Sequence, residues 1–109
     1  MTRIPLYRHK SPDINIYIDA YFESGDLVIE GQDIGKSVEN WWGDSDYEYG
    51  LKVLSSEVAK LYPLFGVEEG DEEGLLSEIA GKYNTNTCYS DFMDFLNRND
   101  IEFEGFTWA

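Results

Sequence analysis

A chain of 109 residues with 42% hydrophobic and 16% aromatic content is long enough for one domain with a single core, and too rich in large apolar side chains for a disordered segment. It carries 22 acidic residues against 8 basic ones, a formal net charge of −14, which disfavours a nucleic-acid-binding surface of clustered lysine and arginine and repels anionic membranes. Arg3, Arg8 and Lys10 all precede the first acid, so residues 11–109 hold 22 acids and 5 bases, a net of −17. No apolar run approaches the roughly 20 residues of a membrane helix, and the N-terminal stretch lacks the apolar core of a secretory signal. The single cysteine, Cys88, has no partner for an internal disulfide. These features predict one domain over residues 1–109, located in the cytoplasm.

Residues 1–12 read as an irregular lead-in, because Pro5 and Pro12 oppose both helix and strand pairing. From Ile14 to Glu23 the chain alternates. Ile14, Ile16, Ile18, Ala20 and Phe22 share one face of a predicted first strand, and Asn15, Tyr17, Asp19, Tyr21 and Glu23 share the other. Ser24-Gly25 fits a tight turn, and Leu27 to Gln32 returns as a second strand. Gly31 to Lys36 ends it in a loop. Tyr47 to Leu54 alternates again as a third strand, with Tyr47, Tyr49, Leu51 and Val53 opposite Glu48, Gly50 and Lys52. Ser55 is the expected N-cap of a short helix with Glu57 in its first turn, broken at Pro63 and closed at Gly66. The acidic run Glu68–Glu73 leads into a second helix striped by Leu75, Leu76, Ile79, Ala80 and Tyr83. Thr87 or Ser90 caps a third, carrying Phe92, Met93, Phe95 and Leu96. Ile101–Glu104 is a last strand. The predicted class is α+β: a mostly antiparallel sheet of about four strands, order β-β-β-α-α-α-β, with helices on one face. Its open face would present Tyr17, Asp19, Tyr21, Glu23, Glu48 and Lys52 to water, and tyrosines suit an interface centre.

The usual catalytic constellations are absent from the sequence. Asp44, Asp46 and Glu48 fall at positions 1, 3 and 5 of a calcium loop, but Tyr49 and Ser55 stand where the glycine at 6 and the glutamate at 12 are needed. One histidine and one cysteine do not make a zinc site. Neither His9 nor Cys88 has a catalytic neighbour in sequence, and Gly31 and Gly35 do not match a phosphate loop. No enzyme activity, metal or cofactor is expected. The aromatic, acidic stretch around Trp41 and Trp42 is costly to leave in water, and adjacent side chains in an extended segment point apart. One of the two tryptophans is therefore expected in the core and the other at a partner.

Leu27-Val28-Ile29-Glu30-Gly31-Gln32-Asp33-Ile34-Gly35, then Trp42-Gly43-Asp44-Ser45-Asp46-Tyr47-Glu48-Tyr49, a capped helix and the late Ile101-Glu102-Phe103 segment resemble small acidic bacterial immunity proteins of contact-dependent growth inhibition and polymorphic-toxin systems. The likeness spans roughly residues 14–106 in order of elements, with Gly-Gln-Asp and Asp-Tyr-Glu-Tyr its specific segments. The resemblance implies a non-catalytic cytoplasmic antitoxin that binds a basic toxin domain, commonly a nuclease, and no nucleic acid directly. On that reading Asp44, Asp46 and Glu48 pair with basic toxin residues and Trp42 and Tyr47 are anchors. The face of Tyr17, Asp19 and Tyr21, or the Glu68–Glu73 run, extends the contact. Two other readings are a nucleic-acid mimic of phage or plasmid origin, which needs a broad acidic surface, and a small carboxylate enzyme, which needs a deep pocket.

Overall fold

In the computed structural model, which describes residues 3–35 and 46–108, the strands are β1 (Arg3–Lys10), β2 (Ile14–Glu23), β3 (Asp26–Gly35), β4 (Asp46–Val53) and β5 (Glu104–Trp108). They form one antiparallel sheet in the order β1-β2-β3-β4-β5. Between β4 and β5 the chain makes α1 (Ser55–Val58), α2 (Leu61–Leu64), α3 (Glu72–Lys82) and α4 (Cys88–Arg98). The α+β class is as the alternation and helical stripes require. The sheet has five strands rather than four.

The additional strand is the stretch expected to be irregular. Pro5 lacks an N–H to donate, but β1 is an edge strand and its register shifts between Pro5 and Tyr7, the setting in which a sheet accommodates proline. The shift turns two consecutive residues inward, so that buried Leu6 and half-buried Tyr7 both pack on the core, beside Ile4. β2 and β3 are joined by Ser24 and Gly25, with φ of 52° and 87°. Positive φ at both central residues matches the right-handed twist of a two-residue hairpin, and glycine adopts it without strain.

Along β2, β3 and β4 the predicted apolar face lies inward. Ile18, Ala20, Phe22, Leu27, Ile29, Leu51 and Val53 form one core with Leu75, Leu76 and Ile79 of α3 and Cys88, Phe92 and Leu96 of α4. The expected single helix after β4 is two four-residue turns, with Pro63 inside the second. Ser55 is not its cap. Leu54 holds the N-cap position without a side-chain bond. Instead, the Ser55 backbone N–H donates to Asp26 Oδ1 at 2.7 Å, so a carboxylate at the β2–β3 hairpin satisfies the helix end. Asp71 caps α3 by accepting from the Gly74 N–H at 3.0 Å. Thr87 precedes α4, but its hydroxyl donates to Asp91 Oδ2 at 2.8 Å rather than capping the backbone.

The last strand starts three residues later than the alternation suggests. Ile101 is buried, and its N–H donates to Leu96 O. The Glu102 N–H donates to Glu57 Oε1 at 2.8 Å. These residues close the helical layer, and pairing with β4 begins only at Glu104, opposite Lys52.

Candidate partner-binding surface

The alternation of β2 and β4 decides which predicted site residues meet. Tyr17, Asp19 and Tyr21 lie on the sheet face away from the helices, in register with Gln32, Glu30 and Val28 of β3, and Glu48 joins that face opposite Gln32. Tyr47, one residue before Glu48, belongs to the helix-facing side. Asp46 is the first residue of β4, opposite Ile34. Trp42 and Asp44, with Trp41, lie outside the described residues.

On the outer face the carboxylate expected to meet water is engaged within the chain. Asp19 accepts from Arg3 at 3.2 Å and from Arg8 at 2.5 Å, and Arg3 also lies 3.6 Å from Glu30. The Arg3 guanidinium sits over the Tyr21 ring, 4.1 Å from its centroid, and Arg8 lies 5.4 Å from that of Tyr17. The Tyr21 hydroxyl donates to Glu30 Oε2 at 2.9 Å; burial, then this bond to a carboxylate, raises its pKa. Tyr21 is 9% exposed. The N-terminal bases thus neutralise Asp19 and reach Glu30, because β1 lays them beside β2.

Across the sheet, on the helix side, β3 and β4 meet the first turn of α4 at a shallow open cavity of about 320 Å³. Its described lining is Ile18, Asp33, Tyr47, Tyr49, Asn86, Tyr89, Ser90 and Thr107. The Tyr49 hydroxyl donates to Asp33 Oδ1 at 3.1 Å, and its ring meets Tyr89 edge-on with centroids 4.9 Å apart. Tyr47 lies 5.6 Å from Tyr49, tilted. Burial raises the Asp33 pKa, and the Tyr49 hydrogen bond offsets part of that rise. Burial and the neighbouring Asp33 charge together push the Tyr49 phenol far up. Asp33, Tyr49 and Tyr89 had no place among the sequence candidates. A signal was present in β3: Asp33 shares the period-2 face of Leu27, Ile29 and Gly31, where an acid is out of keeping with a core.

The helical half holds most of the negative charge. Residues 68–102 include 10 acids and 2 bases, a net of −8, against 6 acids and 3 bases, a net of −3, over residues 3–35. All ten acids are exposed. Among the described residues no three His, Cys, Asp or Glu side chains converge as a metal site requires, and no helix is long and apolar enough to cross a membrane. Cys88 is fully buried, and burial raises its thiol pKa to about 11. No protein-family model, curated protein or solved structure matches the chain.

Proposed function

We propose that this protein is a non-catalytic inhibitor of the immunity type, which binds and neutralises a basic toxin domain, a nuclease by the charge its surface answers. The observation that carries the reading is the segregation of charge. On the outer sheet face Arg3 and Arg8 neutralise Asp19, while the ten exposed acids of residues 68–102 leave the helical layer strongly anionic. A surface of this kind steers a basic partner and supplies the charge that the partner's nucleic acid would supply. Asp44, Asp46, Tyr47 and Glu48 remain the proposed second part of the contact, with Trp42 as an anchor. Tyr17, Asp19 and Tyr21 flank it on the outer face.

The test is calorimetric binding to the product of the neighbouring reading frame at low and moderate salt, comparing wild type with Glu69→Lys/Glu72→Lys and Asp44→Lys/Asp46→Lys. One basic domain should bind, with affinity falling at least about tenfold on charge reversal or added salt. Failure of every basic toxin domain to bind would end the reading.

A nucleic-acid mimic is the second reading, favoured by the spread of exposed carboxylates along α3, α4 and their connections. It requires comparable binding to several unrelated basic DNA-binding proteins, with little loss in either double variant.

A further inference from the structure

We infer that the cavity between β3, β4 and the start of α4 is an arginine-binding site, seating one guanidinium of a basic protein partner against Asp33 and the rings of Tyr47, Tyr49 and Tyr89. The partner's identity as a basic protein rests on the inhibitor reading; the chemistry of the site does not.

A half-buried carboxylate needs compensation, and the chain treats its acids unequally. Asp19 takes two arginines, and Glu57 takes Lys60 at 2.9 Å together with the Glu102 N–H. Asp33 receives one neutral donor, the Tyr49 hydroxyl, and no basic side chain lies within ion-pair distance of it among the described residues. Burying a carboxylate without a cation is unfavourable, and the rise in its pKa reports that cost. A cation entering the cavity would relieve it.

The rings around Asp33 suit the same guest. Ring faces attract cations, most strongly where water is partly excluded. The outer sheet face contains the filled version of this arrangement. There Arg3 stacks over Tyr21 while bonding Asp19, and Arg8 approaches Tyr17 while bonding the same carboxylate. Tyrosine beside aspartate recurs on the inner face without the arginine.

Size and rim chemistry select among cations. The cavity of about 320 Å³ equals roughly ten water molecules at about 30 Å³ each, room for a guanidinium and part of its stem. Asn86, Ser90 and Thr107 are exposed residues of the lining, and their side chains carry oxygen acceptors for N–H groups that Asp33 does not take. A planar, weakly hydrated cation with five donors uses all of these groups. A compact, strongly hydrated ammonium does not.

The experiment is an NMR titration of the full chain with N-acetyl-arginine amide, with the neutral isostere N-acetyl-citrulline amide as control. The Asp33→Asn variant keeps an oxygen acceptor for the Tyr49 hydroxyl, so loss of binding there reads the charge and not the fold. Saturable shifts at Asp33, Tyr47, Tyr49 and Tyr89 within about 50 mM arginine amide, at least about tenfold weaker with citrulline or in Asp33→Asn, support the site. Equal responses to both probes, or none at these residues, overturn it. The same variant is then tested against the captured toxin domain. Arginine binding here with no basic partner found leaves the site standing and removes the inhibitor reading. A partner bound equally well by wild type, Asp33→Asn and Tyr89→Ala overturns the site and leaves that reading intact.

Discussion

Gly31 of β3 and Tyr49 of β4 are direct cross-strand partners, and the tyrosine ring lies flat enough over the glycine that a Cβ there would meet its ring atoms. The same device recurs on the outer face, where Phe106 covers its partner Gly50. An aromatic ring over a strand glycine replaces packing that the missing side chain would have provided. Here it also sets the position of the Tyr49 hydroxyl against Asp33.

Gly31→Ala should therefore be destabilising even though alanine suits a strand better than glycine. The ring is held at its tip by Asp33 and at its edge by Tyr89, so it does not swing away freely. We expect a loss of about 1–3 kcal/mol in urea unfolding, with shifted Tyr49 and Tyr89 ring resonances. A variant as stable as wild type with unmoved rings would contradict this packing.

Leu6→Ala tests whether the N-terminal segment is a strand. Leu6 is 5% exposed in the core cluster, and truncating such a side chain costs about 2–4 kcal/mol. Mutation of an irregular lead-in would cost almost nothing. Amide exchange gives an independent check, since the β1 amides paired to β2 should be protected in wild type and lose protection in the variant.

Asp33→Asn should gain stability at neutral pH while losing any bound arginine. The sign follows from linkage: a carboxyl whose folded pKa is raised stabilises the fold while protonated, and that contribution is lost as pH rises through the folded value. The variant lacks the ionised form and its cost, so it should melt higher than wild type near pH 7 and level with it below the ordinary carboxylate range. Water screens a half-exposed group, so the gain should not exceed about 3 °C. A lower melting temperature at pH 7 would mean that Asp33 is compensated in the free protein.

Cys88 should be nearly inert in the folded chain. Its thiol is fully buried and titrates at about 11 instead of 9.0, so at pH 8 its thiolate fraction falls about a hundredfold. Iodoacetamide should modify it at a rate limited by unfolding, and in denaturant it should react like a free thiol. Rapid labelling of the native protein would place Cys88 outside the core.

Alternation in Ile14–Glu23 and Tyr47–Val53, the Ser24-Gly25 turn and the apolar stripes of α3 and α4 were all legible in the sequence, because each depends on residues two to four positions apart. Overall acidity was legible for the same local reason, as it needs only counting. Three features were not. Pro5 argued against a strand, yet edge position and a bulge, both properties of the finished sheet, admit one. Arg3 and Arg8 fall in a stretch that reads as an irregular lead-in, and only the pairing of β1 with β2 sets them on Asp19. Asp33, Tyr49 and Tyr89 are 16 and 40 residues apart along the chain, and only the β3–β4 register and the docking of α4 bring them around one cavity. Local periodicity determined the elements and their faces; long-range pairing decided which charges are neutralised and which carboxylate is left facing a ring of tyrosines.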